Sequence, residues 1–330
     1  MIPTLLGISV LIFFIINLAP GSPIEQKIQA IRFSGGESAG SIGRGGSQGV
    51  SNEVIEALKK QYGFDKPIHV RYGIWLQNLA KLDFGKSFTY EEPVVDVIVS
   101  KFPVSLQFGI ASIILSYLIS IPLGIYMAIK DGKAFDIATS MFLFVAYSIP
   151  AFVLGILLIV FFSGNSFLNL FPIGGLYSDN YEYLSGWDKF VDRVHHFILP
   201  LTAYTIGSFT TLALLMKNSL LEEIKKDYIR TARAKGLDEK TVYLKHALRN
   251  ALIPIVTGIG SILTVFFAGG ILIETIFQLD GIGLLNYKSV LSRDYNVIMG
   301  LLFMQALLYL VGNLLSDLLY VVVDPRIDYN

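Results

Sequence analysis

Six long apolar runs limit what this chain can become. They cover residues 2–19, 103–129, 136–163, 197–220, 251–277 and 296–322. A helix that crosses a bilayer needs ~20 mostly apolar residues, and each run meets or approaches that length. The composition agrees. Apolar residues make up 53% of the 330 and mean hydropathy is +0.58. Charged residues are 16%, against the ~25% usual for soluble domains. The expected fold is therefore all-α, a polytopic membrane protein with six transmembrane helices and no separate soluble core. The first run lacks a basic leader and a small-x-small cleavage site, so it reads as a retained span. A chain that starts directly on an apolar run is also consistent with a few missing upstream residues.

An even number of spans puts both termini on one side. The short connections 130–135 and 222–250 fall on that same side and carry the positive excess, which marks it as cytoplasmic. Residues 21–101 are then external. Their ten Lys/Arg residues do not count against this orientation, because long loops translocate regardless of charge. The organisation is thus a first helix over 1–20, an external segment over 21–101 and a five-helix core over 102–330. Net charge is zero, which gives no reason to expect a nucleic-acid partner. There are no cysteines, so disulfides, thiol catalysis and Cys-ligated metals are all excluded.

Residues 34–51 are Gly/Ser-rich and cannot bury enough apolar surface to fold. They read as a loop, which is a lid, a docking loop or a tolerated insertion. Amphipathic spacing predicts two short external helices, around Val54–Ile55–Leu58–Tyr62 and around Ile68–Tyr72–Trp75–Leu79. Ala80-Lys81-Leu82-Asp83-Phe84-Gly85-Lys86-Ser87 matches a loosened phosphate-loop pattern. It lacks the preceding strand, and Glu91-Glu92-Pro93 follows it, so it is not expected to hold a nucleotide. No His-Glu-x-x-His or Gly-x-Ser-x-Gly motif appears, and the adjacent His195-His196 do not share a helix face.

Pro122 and Pro150 interrupt the second and third runs and should kink them, either as packing features or as gating hinges. The fourth run is rich in hydroxyls, among them Thr205 and Ser208, which suit helix–helix contacts or a wet pathway. Glu274 lies near the outer end of the fifth run. A charge at bilayer depth costs ~2.5–3.5 kcal/mol on insertion scales, so Glu274 is expected to face protein or water.

The polar island 222–250 interrupts the apolar pattern. From Lys217 to Arg249 it holds nine Lys/Arg against five Asp/Glu. It reads as a helix from about 222 to 235, a stop at Gly236, where left-handed angles are allowed, and a second helix capped by Asp238.

Several fragments together resemble one family. They are Leu18-Ala19-Pro20-Gly21, Tyr62-Gly63-Phe64-Asp65-Lys66-Pro67, Asp83-Phe84-Gly85-Lys86-Ser87, Ile121-Pro122-Leu123-Gly124, Ser148-Ile149-Pro150, the run from Asp227 to Leu237, and Asp324-Pro325-Arg326. In this order they resemble the permease subunits of dipeptide/oligopeptide importers of the ATP-binding-cassette class. The Gly/Ser insertion, Lys217-Asn218-Ser219 and the ending from Val323 to Asp328 resemble the B-type permeases of the microcin C/Yej-type subgroup.

The resemblance implies the type I importer permease fold in a bacterial inner membrane. It implies a second homologous permease, cytoplasmic ATPase subunits, a periplasmic peptide-binding protein and lipid as partners. ATP and Mg would be bound by the ATPase subunits and no cofactor by this chain, which would not itself be an enzyme. It also implies that Tyr228, Ile229, Arg230, Thr231, Ala232, Arg233, Ala234, Lys235, Gly236 and Leu237 form a coupling helix against the ATPase. Pro122, Pro150, Thr205, Ser208 and Glu274 are the candidates for pathway or gating roles. The chain departs from the general importer pattern in having Arg230-Thr231-Ala232 where Glu-Ala-Ala opens the motif, and His246-Ala247-Leu248-Arg249 where Ile-x-Leu-Pro closes it. The peptide-importer version shares this form. Read from hydropathy alone, an ATPase-independent channel or a membrane receptor subunit is the alternative, but neither explains the basic two-helix island.

Overall fold

The computed structural model describes residues 2–18, 56, 65–164, 167–257 and 270–323. The Gly/Ser run, the first external helix, residues 258–269 of the fifth apolar run and the ending from Asp324 lie outside them. The described residues are helical apart from turns and two isolated bridges, Lys86–Pro93 and Ser163–Phe171. The chain divides into two compact units: Met1–Ser100 with Leu285–Leu307, and Lys101–Leu284 with Leu308–Asn330.

In the first unit, α1 (Ile2–Leu18) meets α2 (Ile68–Leu79). Phe13 packs against Tyr72 and Trp75 with ring centroids 5.3 and 5.5 Å apart. Ser9 and Tyr72 share a hydroxyl contact of 3.0 Å, and Arg71 donates to the Asn17 side chain. The segment after α2 is held by a fully buried carboxylate. Asp294 accepts from the Ser87 hydroxyl at 2.5 Å and from the Thr89 N–H at 2.9 Å. The Lys86 carbonyl accepts from the Asn296 amide at 2.7 Å. The serine of the phosphate-loop-like stretch is thereby committed to Asp294.

The second unit is organised on two long helices, of which α3 (Val94–Ile129) begins in the first unit. The helix α3 is continuous through Pro103 and Pro122. The feature that matters next to Pro122 is Gly124. A Cβ there would sit 2.5 Å from the Ala213 carbonyl and 2.7 Å from Met216 Cβ. The short motif therefore lets α3 press against α6 (Gly186–Ile224).

The third apolar run, by contrast, is broken. The helices α4 (Ala134–Ser148) and α5 (Ala151–Phe162) meet at an angle of 97°. Clash with the ring of Pro150 disfavours helical angles at the residue before it, and Ile149 takes φ −88°, ψ 119°. Near the start of α4, Asp136 accepts from Lys217 Nζ at 2.5 Å and from the Gly132 N–H at 3.0 Å, which ties α4 to α6.

The helix α6 is longer than the apolar run that announced it. Ser185 caps it, and it takes in Trp187, His195, His196 and the first residues of the island. It is followed by α7 (Asp227–Ala234), α8 (Glu239–Thr241), a π-helical turn Val242–Ala247, α9 (Leu248–Ala251), α10 (Ile253–Thr257), α11 (Ile271–Ile276), α12 (Ile282–Leu291) and α13 (Tyr295–Val323).

Among the described residues, three helices are long and apolar enough to cross a membrane: α3, α6 and the part of α13 from Tyr295 to Leu315. The bent pair α4–α5 would be a fourth. Large apolar side chains such as Leu118, Ile114, Met141 and Phe142 remain exposed, as expected of surfaces that meet lipid or another membrane subunit.

Replacing Gly124 with Ala forces a methyl group onto the Ala213 backbone. The expected cost is about 1–3 kcal/mol, read as a lowered midpoint in thermal unfolding of the detergent-purified chain.

Candidate coupling surface and buried carboxylate

The polar island is a folded lobe. The helix α7 ends in a full Schellman motif: the Gly236 N–H reaches the Arg233 carbonyl at 2.9 Å and the Leu237 N–H reaches the Ala232 carbonyl at 3.4 Å. Gly236 has φ +81°, as this motif requires. Asp238 then accepts the Thr241 N–H at 3.0 Å and caps α8. Arg233 clamps the two pieces together, donating Nε and Nη2 to the two oxygens of Glu239 at 2.8 and 3.1 Å. The hydrogen bond from Arg233 holds the Glu239 carboxyl below its ordinary range, and the bonds to Thr241 do the same for Asp238. For a depressed carboxyl the stabilising contribution is present at neutral pH and fades as the pH falls through its folded-state pKa. Both groups are exposed, so the effect is small.

Burial divides the ten residues of the predicted coupling helix. Ile229 and Ala232 turn inward and pack with Leu220, Met216, Val242, Ala247 and Ala251. Arg230, Thr231, Ala234, Lys235, Gly236 and Leu237 are exposed, and Arg233 is half-buried by its clamp. Tyr228 is held on one side. Its hydroxyl donates to Glu223 at 2.6 Å and accepts from the Asn250 amide at 3.1 Å, while Lys226 pairs with the other Glu223 oxygen. Burial, reinforced by Glu223, raises the Tyr228 pKa. Glu222, Glu223 and Ile224 belong to α6, so the first island helix is shorter than its sequence pattern suggests. From Glu239 to Ala251 the second piece is continuous through its π-helical turn, and α10 follows within two residues.

The second feature is Glu274, which is fully buried. Its Oε1 accepts from the Ser105 hydroxyl at 2.8 Å and the Tyr204 hydroxyl at 3.1 Å, and its Oε2 accepts from the Leu284 N–H at 2.9 Å. Both hydroxyls are themselves acceptors: Ser105 takes the Ile282 N–H and Tyr204 the Gly270 N–H, each at 2.8 Å. One carboxylate thus joins α3, α6 and α11 to the turn that opens α12. A Cβ at Gly281 would lie 2.5 Å from both Glu274 Oε2 and Ser105 Oγ. Glu274 faces protein, one of the two surroundings its sequence position suggested.

The remaining candidates do not join this cluster. Thr205 is buried and donates to the Leu201 carbonyl at 2.6 Å; Thr202, Thr210 and Thr211 bond back to their own helix in the same way. Their hydroxyls thus serve α6 itself rather than another helix. Ser208 is exposed. The sequence reading missed Ser105, Glu223 and Asn250, while Tyr204 is one of the hydroxyls of the fourth run that it marked for contacts between helices. Nothing local marks the first three, because each acts on a residue distant along the chain or across a turn.

The arrangement defines a helical membrane protein with a folded polar lobe and no constellation for covalent chemistry among the residues just described. The family model for the inner membrane component of binding-protein-dependent transport systems matches residues 120–329. Three relatives match almost end to end, with 96% of each relative covered. The peptidoglycan transport system permease protein YejB of Agrobacterium fabrum is 45% identical over all of this chain. The inner membrane ABC transporter permease protein YejB of Escherichia coli O157:H7 is 43% identical over 99% of it. The oligopeptide transport system permease protein AppB of Bacillus subtilis is 36% identical over 99%. The solved inward-facing MetNI methionine ABC transporter has a TM-score of 0.51 at 18% identity, covering 70% of this chain and 97% of that one. That last likeness concerns the fold alone.

The chain belongs to the binding-protein-dependent inner-membrane permease family. It is a multi-pass inner-membrane subunit of an ATP-driven importer, and its part in the system is transport rather than catalysis.

Removing the Glu274 carboxylate should expose its central role. Glu274→Ala leaves two hydroxyls and one backbone N–H without their acceptor, at a cost of about 1–3 kcal/mol for each buried group. Glu274→Gln keeps a carbonyl oxygen and should lose less. Thermal unfolding of the two purified variants against the parent chain checks the order.

Proposed function

We propose that this permease moves short peptides or peptide-like solutes from periplasm to cytoplasm by alternating access. The peptide reading rests on the names of the relatives, which are oligopeptide and peptidoglycan transport permeases. In this reading six spans leave both termini in the cytoplasm. The chain pairs with a second, homologous permease. A periplasmic binding protein delivers the solute. ATP and Mg are bound by separate cytoplasmic ATPase subunits, and the island 222–250 receives their movement.

The observation that carries this reading is the build of the lobe. Its exposed ridge, Arg230–Thr231 and Ala234–Leu237, ends in an uncovered Leu237. Its inner face is packed onto α6 through Ile229 and Ala232 and tethered through Tyr228 to Glu223 and Asn250. A push on the ridge would therefore reach α6 and, through α9, α10. The 97° break before Pro150 is a candidate hinge. A Trp at Ala232 would disrupt the core of the lobe, so a test of docking must use the ridge. Leu237→Asp combined with Arg230→Glu should leave folding intact. It should abolish stimulation of ATPase activity by binding protein and peptide in the reconstituted complex, by about tenfold or more, the scale of a lost interface anchor. Undiminished stimulation would rule out the ridge as the coupling surface.

A further inference from the structure

The first unit contains a cavity that the transport reading leaves unused. Its volume is about 480 Å³, within the ~300–1,000 Å³ typical of ligand pockets. The floor is aromatic: Phe13, Trp75, Phe84 and Tyr295 are buried and face it together with Met299. The rim is polar and carries both signs of charge. Lys66, Arg71 and Lys86 line it with one acid, Asp83, and with the amides of Asn78 and Asn296. Lys66 and Lys86 are exposed, and neither ammonium forms an ion pair with a described residue.

The loop that supplies Asp83 and Lys86 is fixed from below. The Asp83 carboxylate accepts the Gly85 N–H at 2.8 Å, the Lys86 carbonyl is held by Asn296, and the Ser87 hydroxyl by Asp294. The loop that looked like a phosphate loop is thus a preformed wall of this cavity.

We infer that the cavity is a receiving site for a short peptide, taking its terminal carboxylate at Lys66 and Lys86 and one apolar side chain on the Trp75 floor. The excess of cations at the rim selects an anionic end group. Asp83 favours a ligand that also carries an ammonium group, as a zwitterionic peptide does. The aromatic floor offers flat apolar contact and rejects a uniformly polar solute. By the orientation proposed above, the rim residues Lys66, Asp83 and Lys86 belong to the segment on the side from which the solute arrives. The inference rests on the peptide reading of the preceding subsection.

Trp75 provides a direct readout, because the chain has only two tryptophans, Trp75 and Trp187. The full chain carrying Trp187→Phe would be placed in phosphatidylcholine nanodiscs. It would then be titrated with a leucine-containing tripeptide that lacks aromatic residues. Saturable change in Trp75 emission is expected. Amidating the peptide C-terminus, or the double substitution Lys66→Gln with Lys86→Gln, should weaken binding about tenfold, the scale of losing a charge-assisted hydrogen bond. An emission change that is indifferent to amidation and to both lysines would overturn the assignment. So would a change produced by phosphatidylglycerol in the nanodisc but not by peptide, which would make the site a lipid one. Peptide uptake by the reconstituted importer is measured in parallel. Uptake with a silent Trp75 rejects the cavity alone, whereas absence of peptide uptake rejects the transport reading.

Discussion

The fold of the larger unit turns on one carboxylate. Glu274 sits in an apolar helical environment with no exposure to solvent, and every donor that reaches it comes from a different element. Away from water, an unsatisfied polar group is costly, so the positions of α3, α6 and the turn before α12 are constrained together. Ser105 and Tyr204 extend the constraint, because each passes a backbone N–H into the same network. Gly281 is part of the same arrangement, since any side chain there would occupy the space of the carboxylate. The result is a dry polar knot among helices that otherwise meet through apolar side chains.

The polar lobe follows a complementary logic. Its turn uses a glycine with positive φ, a Schellman motif and an aspartate cap. Its inner face is continuous with the apolar cluster of α6 and α9. The charge-rich composition of the island describes its outer surface, apart from the buried Glu223 that tethers Tyr228. At Gly124 the helices α3 and α6 approach so closely that any side chain there would meet the Ala213 backbone. The break at Ile149–Pro150 is the point where one apolar run changes direction. In the transport reading these give the lobe something firm to push and a place where the movement can bend.

Much of this was legible beforehand. Gly236 and Asp238 announced the hinge of the island because local backbone chemistry alone dictates a Schellman stop and an N-cap. The fragments from Leu18 to Arg326 pointed to the family through their order. The two prolines sit in different settings. Pro150 breaks its helix, whereas Pro122 is carried inside one, and the signal near Pro122 that mattered was the packing glycine two residues on. Of the hydroxyls of α6, Tyr204 makes the contact between helices that they suggested, whereas Thr202, Thr205, Thr210 and Thr211 return their protons to their own backbone. Helix ends were also misplaced. Apolar runs mark where lipid is tolerated, while α6 continues beyond its run into polar sequence that helical propensity and a capping serine sustain.

By itself, the sequence determined the class of protein, the helical architecture, the side expected to carry the polar island and the local stops within it. These depend on composition, periodicity and residues close together along the chain. Only the tertiary structure decided which residues of the island face inward, what Glu274 is bonded to and why Asp294 holds the loop at Ser87. Partners such as Ser105 and Glu274 are 169 positions apart, and Ser87 and Asp294 are 207 apart. No local pattern encodes such a pairing. It arises when folding removes water from both groups and leaves each the other's hydrogen-bond partner.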